Sequence, residues 1–66
     1  MRIRLNGTER ELAEGTTVAG LLEELDLATG PVAVERNHEL VPRGRRSDTE
    51  LVEGDRVEVV TLVGGG

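Results

Sequence analysis

Cysteine, lysine and all three aromatic residues are absent from this 66-residue sequence. Without cysteine, the chain has no disulfide and no thiolate to bind a metal or act as a nucleophile. Lysine is missing too, and the eight basic residues are all arginine, which keeps its proton and suits ion pairs and docking contacts. Without aromatic rings, the core must be built from Val, Leu, Ile and Ala, and unpaired nucleic-acid bases find no stacking platform.

The net charge also disfavours nucleic-acid binding. The formal net charge is −5, which repels the phosphate backbone of a nucleic acid. The opening MRIRLNGTERE lacks the apolar segment of a signal peptide, and no stretch approaches the ~20 apolar residues of a membrane span. We therefore expect one cytoplasmic domain, monomeric when free, with no nucleic-acid or membrane partner.

The first half of the sequence predicts a hairpin followed by a helix. MRIRLN alternates apolar and charged residues, Asn6-Gly7 is a strong signal for a tight hairpin turn, and TERELAEG reads as the returning strand. The period then changes, and one helical stripe is formed by Val18, Leu21, Leu22 and Leu25. Thr16 or Thr17 is the expected N-cap, and Gly30 is expected at the C-terminal cap.

Gly20 lies within this helix and has two explanations. It is either a tolerated surface glycine, at a cost of about 1 kcal/mol relative to Ala, or a point where the helix backbone closely approaches the sheet. The sequence favours neither.

The second half predicts three strands. VAVER reads as a buried strand, NHE as a turn, and LVP as a short edge strand closed by Pro42. RGRRSDTELVEGD reads as a loop with a short helical turn near Ser47 to Leu51, and Gly54-Asp55 as a second hairpin signal. The last strand, RVEVVTLV, is apolar on both faces from Val59 onward, so we expect it in the middle of the sheet.

The resulting order is β-β-α-β-β-β, with the first and last strands as a parallel central pair. This pattern is typical of the α+β class and of the ubiquitin-like β-grasp fold, a mixed sheet of four to five strands packed on one helix. We expect residues 1–63 to form the domain and residues 64–66 to form a flexible C-terminal glycine tail.

Few residues qualify as catalytic groups. The single histidine, His38, lies in a predicted turn with no second ligand at metal-binding spacing, and we expect no metal site and no enzyme activity. The run RGRR is the one basic cluster, and it either docks an acidic partner or balances local charge. If it docks a partner, the contacts come from Arg43, Arg45 and Arg46.

The terminal glycines are the remaining chemical feature. Gly64, Gly65 and Gly66 have no side chains, so such a thread passes a narrow channel and presents its carboxylate inside a partner's active site. A carboxylate is a poor electrophile until one oxygen becomes a good leaving group, which adenylation by an ATP-binding partner supplies. The alternative is an idle end.

The motifs RLNG, VERN, VPR and EGDRVEVV, in this order and followed by the terminal glycines, resemble the ThiS family of sulfur carriers of thiamine biosynthesis. The resemblance runs along the whole chain. It implies that an E1-like (ThiF-like) enzyme uses ATP and magnesium to adenylate the Gly66 carboxylate, with no cofactor bound to this chain. Sulfur from cysteine, passed on by a cysteine desulfurase, then yields a thiocarboxylate that a ThiG-like thiazole synthase consumes. Gly64 and Gly65 would form the thread that enters the partner's channel.

One stretch departs from the family pattern, because GRRSDTE stands where many members carry an aromatic residue soon after VPR. This concerns the partner contacts rather than the tail. Three alternatives remain: the small sulfur-carrier subunit of molybdopterin synthase, a ubiquitin-like modifier joined to other proteins, and a β-grasp interaction module with an idle tail.

Overall fold

A computed structural model describes residues 1–62, which form a five-stranded mixed sheet with one α-helix packed on it. The elements are β1 (Arg2–Leu5), β2 (Thr8–Glu11), α1 (Val18–Glu24), β3 (Val32–Arg36), β4 (Glu39–Leu40), a 3₁₀ helix (Arg43–Arg45) and β5 (Arg56–Thr61). The strand order is β2-β1-β5-β3-β4, with β1 and β5 parallel and the other neighbours antiparallel. The predicted element order and the parallel central pair are confirmed.

Two tight turns with left-handed residues shape the hairpins. Asn6 and Gly7 have φ of 49° and 82°, which fits the type I′ turn predicted between β1 and β2. Asn37 and His38, with φ of 50° and 70°, form the matching turn between β3 and β4. The Asn6 side chain also accepts from the backbone N–H of Val59 at 2.9 Å and donates to its carbonyl at 3.2 Å, so the first turn is joined to the central strand.

The core lies on one face of the sheet, between the sheet and α1. Its fully buried side chains are Ile3, Val18, Leu21, Leu22, Val34, Leu51 and Val57. The prediction that β5 is central is confirmed, but its second face is not covered: Val60 remains 57% exposed. The sheet has one helical layer, so outward apolar residues of β5 face solvent.

Helix α1 begins as predicted and ends earlier. The Thr17 hydroxyl accepts the N–H of Gly20 at 3.1 Å and caps the N-terminus. At the other end the predicted cap, Gly30, is wrong: Asp26 adopts the left-handed conformation (φ 61°), and Leu27 donates its N–H to the Leu22 carbonyl at 2.8 Å. This is a Schellman motif that places Leu27 against the core. Asp tolerates this conformation, so glycine is not required there.

Gly20 is the tolerated surface glycine of the two explanations. A Cβ added there would lie 3.5 Å from the Thr17 hydroxyl and 3.6 Å from a Thr16 methyl, which are ordinary contacts within the same segment. Among residues 1–62 no strand approaches this position within 4 Å, so close packing against the described sheet does not explain the glycine.

The long loop before β5 differs from the prediction in two ways. Its helical turn is at Arg43–Arg45 rather than near residues 47–51. Gly54, at φ 86°, makes a turn into β5 but joins no antiparallel pair, because β5 runs parallel to β1. The turn is closed by Asp55, which is 5% exposed and whose carboxylate accepts the Val52 N–H at 2.9 Å. The alternation of apolar and polar residues that predicts strands does not predict a side-chain cap of this kind.

Candidate functional site

The end of β5 sets where the C-terminal residues leave the sheet. Thr61 is paired with Val32 of β3, and one residue later Leu62 donates its N–H to the Pro31 carbonyl at 2.7 Å. The chain is thus hydrogen-bonded to its neighbour up to Leu62. Gly64, Gly65 and Gly66 lie outside the described residues, so the chemistry assigned to them remains a prediction.

Apolar side chains are exposed on the outward face of the sheet beside this exit. We call Leu40, Val60 and Leu62, which are 66%, 57% and 49% exposed, the outer-face patch. Val60 points outward because the alternate residues of β5, Val57 and Val59, fill the core. Leu40 lies on the edge strand β4 opposite Glu35, which itself pairs with Glu58, so within the patch only Val60 and Leu62 adjoin the exit. An apolar surface next to the exit of the tail is suited to contact a protein that also receives the tail.

The predicted docking arginines separate into two environments. Arg43 and Arg45 are exposed on the 3₁₀ helix, and their docking role remains a prediction. Arg46 is only 7% exposed and donates from Nη2 to the Val32 carbonyl at 2.7 Å, while its buried Nε has no partner among the described residues. Burial, and secondarily the charge of Arg43, lower the pKa of Arg46. Arg46 therefore does not belong to an exposed docking surface in this conformation.

Arg43 and Arg46 lie close to the tail exit, and the sequence did not indicate this proximity. The basic cluster and the chain exit both contact the same three consecutive backbone carbonyls, from Gly30 to Val32. The Pro31 carbonyl accepts from Leu62, whereas the Val32 carbonyl accepts from Arg46 and the Gly30 carbonyl receives a long contact of 3.5 Å from Arg43. The backbone from Gly30 to Val32, which leads into β3, therefore lies between the basic cluster and the point where the chain leaves β5.

His38 has closer potential co-ligands than sequence spacing suggested. The ligand atoms of Glu35, His38 and Glu58 all lie within 4.8 Å of one another, and all three residues are exposed. Imidazole and carboxylate groups are common zinc ligands, so this cluster is where the described part of the chain could hold a metal ion. Its formation depends on strand register, because Glu58 of β5 lies directly opposite Glu35 of β3. Local spacing around His38 contains no sign of that pairing.

Among residues 1–62, no helix has the length and apolar character needed to cross a membrane. The longest described helix, Val18–Glu24, has seven residues.

Comparison with known proteins identifies consistent relatives along the whole chain. The sequence model of the ThiS family matches residues 3–66. The sulfur carrier protein ThiS of Bacillus subtilis is 37% identical over 65 residues, covering 97% of this chain and 98% of that protein. The crystal structure of a thiamine biosynthesis protein (ThiS) from Geobacter metallireducens has a TM-score of 0.85 at 35% identity, with 100% of both chains covered.

A second class of relative is much longer. A thiazole synthase of Paramagnetospirillum magneticum is 41% identical over 66 residues, which is 100% of this chain but 20% of the synthase. The chain therefore spans about a fifth of the length of the thiazole synthases that it matches.

Proposed function

The chain belongs to the ThiS family, and from this premise we propose that it is a sulfur carrier that supplies sulfur to thiazole formation in thiamine biosynthesis. In this proposed role the chain carries sulfur and is not the catalyst of its transfer. The fold is the ubiquitin-like β-grasp of the ThiS structures. The observation that carries the proposal is the match along residues 3–66, which includes the terminal glycines.

The proposed chemistry takes place at the Gly66 carboxylate. An E1-like enzyme, with its own ATP and magnesium, joins a carboxylate oxygen to the α-phosphate of ATP and releases pyrophosphate. The resulting acyl adenylate has AMP as a leaving group. A cysteine desulfurase draws sulfur from cysteine as a protein persulfide, whose terminal sulfur attacks the acyl carbon and expels AMP. A thiol reductant then cleaves the S–S bond of the resulting acyl disulfide, which leaves a thiocarboxylate in which one oxygen of the carboxylate is replaced by sulfur. The thiocarboxylate is the form that a thiazole synthase consumes.

The described residues support this role by fixing the start of the tail. Within residues 1–62 the last interstrand hydrogen bond is made by Leu62, and the four residues beyond it span at most about 14 Å when extended. Such a reach allows Gly66 to enter an active site while the domain stays outside. The outer-face patch beside the exit is available to contact the receiving protein.

The relatives favour the thiazole pathway over the rival carrier role. The chain matches segments of thiazole synthases as well as ThiS proteins, so a thiazole synthase is the proposed acceptor. The molybdopterin-synthase subunit and the ubiquitin-like modifier would use the same activated terminus and differ in the acceptor. The ThiF-like enzyme and the desulfurase are proposed from the family chemistry.

Intact-protein mass spectrometry tests the proposal. The chain is incubated with ATP, magnesium, a sulfur donor and a ThiF-like enzyme, and a mass gain equal to exchanging one oxygen for sulfur is expected at Gly66. A matched control carries one extra residue after Gly66 and should have an unchanged circular dichroism spectrum and no mass gain. An adduct on lysines of other proteins would instead support the modifier, and activation of the extended control would contradict a role for the Gly66 carboxylate.

A further inference from the structure

We propose that a cavity beside the tail exit binds an oxyanion, a carboxylate or phosphate group, between the guanidinium groups of Arg43 and Arg46. The cavity has a volume of about 320 Å³ and opens between α1 and the segment that follows the 3₁₀ helix. Leu22 lies on its apolar wall, and Ser47 and Glu23 also line it. This inference goes beyond the sulfur-carrier role and does not depend on the chemistry of Gly66.

Arg46 is the first reason for the assignment. Arg46 is only 7% exposed. Among the described residues its side chain makes one hydrogen bond, to the Val32 carbonyl. Its Nε is buried without a partner among the described residues. Removing a guanidinium from water without a counter-charge is costly, and an unsatisfied donor on it adds to that cost. This Nε is itself out of reach of the cavity, so an anion bound there would contact the rest of the guanidinium group and offset part of the cost of its burial.

The second reason is the placement of charges around the cavity. Arg43 lines the same cavity, and its charge contributes to lowering the pKa of Arg46. The chain has 13 acidic residues, yet none within residues 1–62 forms a salt bridge with either arginine. Glu23 lines the cavity but stays beyond the 4.0 Å salt-bridge distance. Two neighbouring cations without an internal counter-ion make a site for an external one.

The chemistry of the lining selects the ligand class. Guanidinium groups bind carboxylates and phosphates through paired N–H donors, and Ser47 adds a hydroxyl. The volume is at the lower end of ligand sites, which are typically about 300–1,000 Å³, so a small group or a single acidic side chain fits. Because the Gly30–Val32 segment adjoins both features, the bound oxyanion would lie on the side of the domain from which the tail emerges.

Nuclear magnetic resonance titration provides the test. Sodium phosphate, sodium acetate and sodium chloride are added to ¹⁵N-labelled protein at matched ionic strength, and the Arg46 Nε–H and Ser47 amide signals are followed. We expect saturable shifts with phosphate or acetate and not with chloride. Saturation with phosphate only assigns a phosphate-bearing ligand, saturation with acetate only assigns a carboxylate, and saturation with both assigns an oxyanion site that accepts either group. Equal, non-saturating shifts with all three salts would overturn the proposal.

Three variants locate the site. Arg43→Gln should weaken binding about tenfold, as expected for losing one charged hydrogen-bonding group. Arg45→Gln makes the same charge change on the same 3₁₀ helix but does not line this cavity, so its affinity should stay within about twofold. Glu23→Gln removes the nearby negative charge and should tighten binding. If Arg45→Gln weakens binding as much as Arg43→Gln, the effect is general electrostatics and the proposed site is wrong.

Discussion

The buried carboxylate of Asp55 joins the loop before β5 to the turn between β3 and β4, and its removal should cost the domain a large part of its stability. One oxygen accepts the Val52 N–H at 2.9 Å, and the other accepts the Asn37 side-chain amide at 3.0 Å. Arg36 lies 3.6 Å away. Asp55→Ala therefore removes both of these hydrogen bonds in one step, while the Asn37 turn keeps its two hydrogen bonds to Arg56.

The magnitude follows from these contacts. Each hydrogen bond to a charged group contributes about 1.5–3 kcal/mol, so losing two at the lower end costs about 3 kcal/mol. The Arg36 pair is discounted, because its guanidinium is 35% exposed and such pairs contribute about 0–1 kcal/mol. A domain of 66 residues has a total stability of about 3–10 kcal/mol at the usual value per residue. Asp55→Ala therefore removes a large part of the domain's free energy of unfolding.

Urea unfolding followed by far-ultraviolet circular dichroism measures this loss, since a chain without aromatic residues has no intrinsic fluorescence signal. Asp55→Asn keeps one acceptor oxygen and should lose about half as much stability as Asp55→Ala, or about 1.5 kcal/mol. Asp48→Ala, at an exposed acid, is the control and should change stability by less than about 0.5 kcal/mol. If Asp55→Ala changes the free energy of unfolding by no more than the control does, the carboxylate does not hold the loop.

Three further predictions use the same assay. Val57→Asp should unfold the domain because it puts an unpaired charge into the core. Val60→Asp, on the exposed face of the same strand, should leave the domain folded. If both variants fold, the faces of β5 are assigned wrongly. Gly20→Ala should stabilise the domain by about 0.5–1 kcal/mol through helix propensity, and Gly54→Ala should destabilise it by about 1 kcal/mol because its φ is 86°; the opposite signs are the check. Glu58→Lys should stabilise the domain by about 0.5 kcal/mol, since it replaces a like-charge pair with an opposite-charge pair across β3 and β5, and a loss of stability would show that the pair is not repulsive.

Local signals were sufficient for most of the fold. The Asn6-Gly7 turn, the Thr17 cap and the helical stripe depend on neighbours in sequence, and each was predicted correctly. The central position of β5 followed from its β-branched, apolar residues. The errors came where several residue types can adopt one conformation: Asp26 ends the helix in place of Gly30.

The candidate site was predicted less completely because it depends on contacts between distant residues. RGRR reads as one basic cluster, yet the turn after the 3₁₀ helix directs Arg46 inward to the Val32 carbonyl, 14 residues away in sequence. Likewise, Glu58 reaches Glu35 and His38 only through the register of β3 and β5. Composition identifies the charged groups, but only the packed sheet determines which of them meet.

The position of β5 has a thermodynamic consequence for docking. Each residue that becomes ordered only on docking costs about 1–2 kcal/mol of backbone entropy, which the interface must offset. At about 25 cal/mol per Å² of buried apolar surface, that requires roughly 40–80 Å² for each such residue. The residues of β5 and Leu62 do not add to this cost, because they are already hydrogen-bonded in the sheet: β5 pairs along β3 up to Thr61 and with β1 at its start, and Leu62 bonds to Pro31. The exposed Val60 and Leu62 lie at the end of the described residues, so apolar surface that can supply such burial is present where the chain leads toward Gly66.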